Sequence, residues 1–331
     1  MAKAIRDGEV RWGILGVGDV CEVKSAPAMN IVNGSRLVAV MRRNEKLAEN
    51  YARRHGVPKW YGDADALIND PDINAVYIST PPNAHKDLTL RAAAAGKPVY
   101  VEKPMARSYK ECQAKITACR EANVPLSVAY YRRALPHFVK LRALIESGAI
   151  GEVRYARVEL NQQLPSPEGL DNNWRVDPEI AGGGLFYDLA SHQLDLLDWL
   201  LGPIEAARGF AGNQAGQYAA EDIVSAAFRF ASGAQGSGSW CFAASPVSEK
   251  DETTIVGSRG QIRFETFGAG RFDMSTAANG KETFDFELPR HIQQNLIEAV
   301  VNALLGRGIS PSTGDSAART NRVFDEIFGR L

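Results

Sequence analysis

The residues best placed for chemistry lie in the run AGGGLFYDLASHQLDLLDWLLG, positions 181–202, where Asp188, His192 and Asp195 fall four and three residues apart. If the run is helical, that spacing puts all three on one face. A carboxylate and an imidazole one turn apart can orient and move a proton, because imidazole has an unperturbed pKa of about 6.5. Gly182, Gly183 and Gly184 precede them, and backbone this thin lets a flat ligand approach. Leu189, Leu196, Leu197 and Leu200 would seat the other side in a core, and Gly202-Pro203 predicts the stop. The same pattern describes a surface helix with a merely solvated polar face, and the run alone does not choose. Asp195, a turn further on, is expected to cap a neighbour or pair with a base.

A second group sits in the first third of the chain. Gly16-Val17-Gly18-Asp19-Val20-Cys21 is GxGxx with cysteine in place of a third glycine. The first glycine permits a tight turn. The second lets a pyrophosphate meet the backbone at a helix start, and cysteine is still small enough for close helix–strand packing. About twenty residues on, where an acid would hold the ribose hydroxyls of NAD, the chain reads Val40-Met41-Arg42-Arg43-Asn44. Two guanidiniums there fit a 2′-phosphate, which predicts NADP with NAD the less favoured cofactor; an exposed basic helix start is the plain alternative. Ser79-Thr80-Pro81-Pro82-Asn83-Ala84-His85 is a stiff loop able to wall a nicotinamide, with His85 equally readable as a first-turn helix residue. In Tyr100-Val101-Glu102-Lys103-Pro104, the proline biases Lys103 toward an extended conformation and fixes its direction.

These loops need a scaffold, and the alternation of the chain predicts one. Val10–Val17, Arg36–Met41, Ala75–Thr80, Pro98–Val101 and Leu126–Ala129 read as buried strands, separated by helices over Glu45–His55, His85–Ala95 and Tyr109–Ala122. Apolar strands between amphipathic helices imply βαβ units and a doubly wound parallel sheet. Past about Tyr130 the texture changes to alternating runs at Val153–Asn161, Ile204–Phe210, Ile223–Phe230, Gln235–Phe242, Thr253–Val256, Gln261–Glu265 and Phe284–Leu288. That predicts a large, mostly antiparallel sheet with one face on helices and one free. The expected division is α/β: residues 1–128 as a dinucleotide-binding Rossmann domain and 129–331 as a substrate and oligomerisation domain, whose C-terminal helix can pack back on the first. Leu164–Ala181, with Asn172-Asn173-Trp174-Arg175 at its middle, reads as a lid or substrate wall.

Bulk properties bound the alternatives. The 331 residues are 45% apolar and 23% charged, with a formal net charge of −1, which favours neither a nucleic-acid partner nor an anionic membrane surface. No apolar run approaches the roughly 20 residues of a membrane span, and the N-terminal stretch has no signal-peptide pattern, so a cytoplasmic location is expected. Cys21, Cys112, Cys119 and Cys241 have no metal-ligand spacing, and no metal site is predicted.

With GVGDV, STPPNAH, VEKP, GAIGEV (148–153) and Trp174-Arg175 followed by AGGGLFYDLASHQLDLLDWL, the chain resembles the glucose–fructose oxidoreductase / inositol dehydrogenase / rhizopine-catabolism (Gfo/Idh/MocA) family over nearly its whole length. The resemblance implies a Rossmann domain, a second domain with an open sheet that pairs subunits, and NAD(P)-dependent redox chemistry on a carbinol or carbonyl, usually of a sugar or polyol. It makes Lys103 the cofactor-proximal catalytic lysine and matches Asp188 and His192 to the family's carboxylate and histidine. Arg42 stands where NAD-using members carry their ribose-binding aspartate.

The expected catalytic set is therefore Lys103, Asp188 and His192. The expected cofactor contacts are Gly16, Gly18, Asp19, Val20, Arg42, Arg43, Thr80, Pro81, Asn83, His85, Glu102, Lys103, Trp174 and Arg175. Trp174 would offer a ring face to a sugar or nicotinamide, and Arg175 a charge toward phosphate or substrate. The expected partners are a small sugar- or polyol-like substrate and a second or further copies of the chain, as a homodimer or homotetramer through the C-terminal sheet. A reductase of non-sugar diols or dicarbonyls, and a non-catalytic cofactor-sensing protein of the same fold, are the competing expectations.

Overall fold

Strands buried on both faces need helices on both sides, and βαβ units supply them. In the computed structural model, which describes residues 5–171 and 173–331 (Asn172 of the expected lid lies outside them), the first strands and helices alternate accordingly. They are β1 (Val10–Leu15), α1 (Asp19–Val23), α2 (Ala26–Ile31), β2 (Ser35–Met41), α3 (Glu45–His55), β3 (Lys59–Tyr61), α4 (Ala64–Ile68), β4 (Ala75–Ile78), α5 (His85–Ala94), β5 (Val99–Val101), α6 (Tyr109–Glu121) and β6 (Leu126–Val128). The six strands pair in parallel in the order β3-β2-β1-β4-β5-β6, the doubly wound order of a Rossmann sheet. The short β3, α1, α2 and α4 carry too few periodic residues to stand out in the sequence.

The remaining elements are α7 (Pro136–Glu146), β7 (Val153–Asn161), α8 (Pro167–Leu170), α9 (Pro178–Ala181), α10 (Leu185–Leu201), β8 (Ile204–Gly212), β9 (Ile223–Phe230), β10 (Gln235–Cys241), β11 (Lys250–Gly257), β12 (Gly260–Phe264), β13 (Arg271–Thr276), β14 (Gly280–Asp285), α11 (Gln294–Leu304) and α12 (Gly314–Ile327). The eight strands form one sheet, β14-β13-β12-β11-β7-β10-β9-β8, antiparallel except for β7 with β10. Burial alternates strictly along β9 and β10, so one face is packed and the other is open, as period-2 patterning requires. The hairpin β13–β14 differs from the expected strand at Phe284–Leu288. Its residues are mostly polar, and only Phe272 and Met274 point into the core.

Contacts divide the chain into two units. One contains residues 1–106, 110–134 and 289–318; the other contains 107–109, 135–288 and 319–331. In the first unit, α11 returns Leu296, Ile297, Val300, Val301 and Leu304 to the core built on Val10, Trp12, Ile14 and Met29. The segment just after it covers the edge of the sheet, with the Val128 amide donating to Ser312 O at 3.0 Å. In the second unit, Phe186 and Tyr187 of α10 lie among Trp240, Phe324 and Phe328, with ring centroids 4.5–5.8 Å apart for these contacts.

Candidate active site

The nucleotide-binding features are built at the carboxyl ends of β1, β2, β4 and β5. Gly16 has φ +91°, and a Cβ there would lie 2.5 Å from Thr80 Cγ2, so the turn excludes any larger residue on two counts. Gly18 is different. Its φ of −143° is ordinary extended backbone, and a Cβ would meet only Gly16 O at 3.9 Å. Among the described residues nothing crowds that position, which leaves room for a pyrophosphate to lie against the backbone. A dinucleotide therefore fits the turn. Asp19 and Val20 open α1, which has no side-chain cap on its N-terminus. Arg54 and His55 of α3 hold that five-residue helix through Glu22, and the Tyr51 hydroxyl donates to Cys21 O at 2.8 Å. The Arg54 guanidinium, foremost, lowers the Glu22 carboxyl to about 2. Cys21, fully buried with its Sγ 3.2 Å from Ser79 Oγ, has its thiol pushed up to about 11 by burial, so it packs rather than reacts.

Arg42 and Arg43 leave the end of β2 exposed, and neither guanidinium has an ion-pair or hydrogen-bond partner among the described residues. The nearest following acid, Glu45, is turned onto Gly62. Thr80 places its methyl group under Gly16, and its buried hydroxyl has no hydrogen-bond partner among the described residues. Pro81 is partly exposed and Asn83 exposed.

Two of the expected cofactor contacts take other roles. His85 is fully buried. Its Nε2 lies 2.7 Å from Thr80 O and its Nδ1 lies 3.1 Å from Pro104 O and 3.3 Å from Met105 O. Burial, more than the charge of Lys115, drives its pKa down to about 3. The ring is thus a neutral, enclosed group packed between the Ser79–His85 loop and the Lys103–Met105 loop, with a single N–H to donate to one of them. Glu102 is 7% exposed and faces inward. One oxygen accepts from Tyr77 Oη at 2.5 Å and Gln293 Nε2 at 2.7 Å, and the other from the Lys103 amide at 3.2 Å. It holds the Lys103 backbone rather than a cofactor. Lys103 itself is partly exposed, and the Lys103–Pro104 peptide is cis.

In the second unit, α10 is buried nearly all round, with Ser191, His192, Gln193, Asp195 and Asp198 among its buried residues. That removes the reading of a surface helix with a solvated polar face. Asp195 accepts from Thr320 Oγ1 at 3.5 Å. The glycine triplet is also accounted for by the chain. A Cβ on Gly182 would lie 2.8 Å from Arg107, on Gly183 2.2 Å from the Tyr187 ring, and on Gly184 2.7 Å from Glu221 O. The triplet serves close packing, not the approach of a flat ligand. Glu221 accepts from the Gly184 amide at 2.7 Å just before α10, and burial raises its pKa.

Asp188 lies one turn before His192, and its carboxylate is 3.3 Å from Arg175 Nε. The Arg175 guanidinium in turn covers the Trp174 ring at 4.5 Å. Arg175 is therefore engaged by the Asp188 carboxylate, and one face of Trp174 carries its guanidinium. Asn173 and Asp177 cap the two short helical turns that present this pair. His192 is 4% exposed and meets Phe267 edge-on at 5.9 Å. Asp251 accepts from the Phe267 amide at 2.6 Å and from Gln193 Nε2 at 3.4 Å, and Gln193 Oε1 accepts from Trp240 Nε1 at 2.7 Å. These residues, like Tyr77, Tyr100 and Gln293 in the first unit, pack beside the expected site residues but carried no sequence signal beyond a polar residue in an apolar stripe.

Residues 10–130 match the family described as an oxidoreductase family with an NAD-binding Rossmann fold, and residues 138–263 match the GFO/IDH/MocA C-terminal domain. The chain is 39% identical over 326 residues to Oxidoreductase P35 of Formosa agariphila, covering 98% of this chain and 99% of that one. It is 32% identical to a 1,5-anhydro-D-fructose reductase of Ensifer adhaerens over 67% of this chain and 66% of the reductase. Among solved structures, levoglucosan dehydrogenase in complex with NADH and levoglucosan superimposes with a TM-score of 0.87 at 26% identity, over 97% of this chain and 96% of that one. With both halves matched and a relative aligned end to end, the chain belongs to the Gfo/Idh/MocA family of oxidoreductases.

Proposed function

We propose that this protein is an NADP(H)-dependent oxidoreductase acting on an oxygen-bearing carbon of a sugar, polyol or related small molecule. The observation that carries the cofactor choice is the exposed Arg42-Arg43 pair at the end of β2, without side-chain partners among the described residues. A 2′-phosphate supplies the charge such a pair lacks. The substrate class rests on the kinship with a levoglucosan dehydrogenase and a 1,5-anhydro-D-fructose reductase.

When bound, the nicotinamide accepts or supplies the hydride. The chain's own residues do the rest. His192 moves the proton on or off the reacting oxygen, since an imidazole nitrogen can either donate or accept a proton. Lys103 places a cation to stabilise negative charge on that oxygen, and its backbone is held by Glu102 and, through Pro104 and Met105, by His85. Asp188, anchored by Arg175, orients the imidazole or accepts from a substrate hydroxyl.

A panel of sugars, inositols, keto-sugars and diols, assayed with NADP(H) and NAD(H), tests the reading. Turnover is expected with at least one carbinol or carbonyl and with preference for the phosphorylated cofactor. Arg42→Ala with Arg43→Ala should weaken NADPH by about 10- to 100-fold while leaving NADH nearly unchanged. Equal losses for both cofactors would remove the 2′-phosphate from the reading.

We further propose that copies of the chain pair through the open face of the eight-stranded sheet. Support comes from the small, outward residues Ser225, Ala227, Ser237 and Ser239 of β9 and β10, which leave a flat surface that an unpaired sheet face would otherwise expose.

A further inference from the structure

We propose that Gln293 is a positioning residue that sets Lys103 through Glu102 and ties that setting to the end of the helix following the glycine loop. Gln293 lies outside every expected site, far along the chain, yet it is 1% exposed in the first unit. Both ends of its amide group are engaged. Oε1 accepts from Tyr100 Oη at 2.9 Å and Nε2 donates to Glu102 Oε1 at 2.7 Å. Its backbone amide donates to Lys24 O at 3.2 Å, immediately after α1, and His291 Nδ1 donates to Val23 O at 2.7 Å beside it.

The chemistry of the partners decides the residue type. A carboxylate only accepts hydrogen bonds, so the amide must turn its NH2 group to Glu102 and its oxygen to the tyrosine hydroxyl. Glutamate at 293 would set two carboxylates at hydrogen-bond distance, and leucine would leave Glu102 short of a donor in a buried place. Glu102 in turn accepts from the Lys103 amide at 3.2 Å. Tyr77 and Tyr100, both fully buried and stacked at 5.0 Å, make the frame rigid. A group held this way transmits a displacement instead of absorbing it. One residue therefore joins the C-terminal end of β5, which carries Lys103, to the C-terminal end of α1.

The assignment of a catalytic role to Lys103 rests on the oxidoreductase reading; its placement by Gln293 does not, and the experiment separates the two. Gln293→Leu should lower kcat by about 10²-fold, the scale of a misplaced catalytic group, with NADPH affinity by fluorescence titration within about threefold of the parent. In the Lys103→Met background the same change should cost nothing further, because its effect runs through Lys103. Gln293→Glu should retain activity at acid pH, where the two carboxyls share a proton, and lose it as pH rises past a step absent from the parent. Without any turnover assay, acetylation of Lys103 by acetic anhydride, read by mass spectrometry, should change several-fold in Gln293→Leu while exposed Lys46 does not. If the parent binds no dinucleotide and turns over no substrate, the oxidoreductase reading falls and the labelling arm alone decides on Gln293. Unchanged labelling of Lys103, additive losses in the double variant, or a pH profile for Gln293→Glu that matches the parent would each overturn the proposal.

Discussion

At the scale of the residue, the groups that do chemistry and the groups that hold them look alike in a sequence, and burial tells them apart. His85 and His192 both stand on helices after stiff or glycine-rich turns. His85 is enclosed by three backbone carbonyls, whereas His192 is placed by Phe267 and by the clamp on its neighbour Gln193. The difference is measurable. His85 has a folded pKa of about 3 against an ordinary 6.5, so between those values the unfolded chain binds the proton and the folded chain does not. Stability is then lost as pH falls through that window, at up to about 1.4 kcal/mol per pH unit. His85→Asn should show a shallower fall in urea-unfolding free energy from pH 7 to pH 5 than the parent; parallel slopes would contradict the brace. For the reaction itself, His192→Ala and Lys103→Ala are each expected to lose about 10²–10⁴ in turnover with NADPH binding retained. If only the lysine variant loses turnover, proton transfer belongs to Lys103.

At the scale of the element, the two glycine clusters have opposite explanations although both precede helices. Gly18 leaves open space in unstrained backbone, while the Gly182–Gly184 triplet is pressed against Arg107, Tyr187 and Glu221. Tyr187 cannot yield, because it is fully buried against Phe324 and accepts from Arg330 at 2.8 Å. Gly183→Ala should therefore lower stability by about 1–3 kcal/mol, read as a drop in Tm, whereas Gly18→Ala should leave Tm within a degree or so and weaken dinucleotide binding. The reverse pattern would exchange the two roles. The helix α10 teaches the same lesson. Its i, i+4 spacing was legible, but its burial on nearly every side was not, since Asp195, Asp198 and Gln193 are polar and only their partners Thr320, Arg319 and Trp240 make them interior residues.

At the scale of the whole molecule, one face of the eight-stranded sheet is packed and the other is open along β9 and β10. Pairing through that face predicts a sedimentation mass of at least two chains at micromolar concentration in analytical ultracentrifugation, and a monomer there would count against it. Among the described residues no helix is long and apolar enough to cross a membrane. By itself the sequence determined the parallel and mostly antiparallel sheets, the glycine turn, the arginine pair and the Asp188–His192 spacing. These depend on local periodicity and on residue type, which a linear chain carries in full. Only the tertiary structure decided that Glu102 and His85 are internal braces, that Arg175 belongs to Asp188, and that Gln293 lies beside Glu102. Each of these depends on partners from 13 to 191 positions apart, brought together by packing rather than by local pattern. What the fold adds is the set of silent residues beside Lys103 and His192.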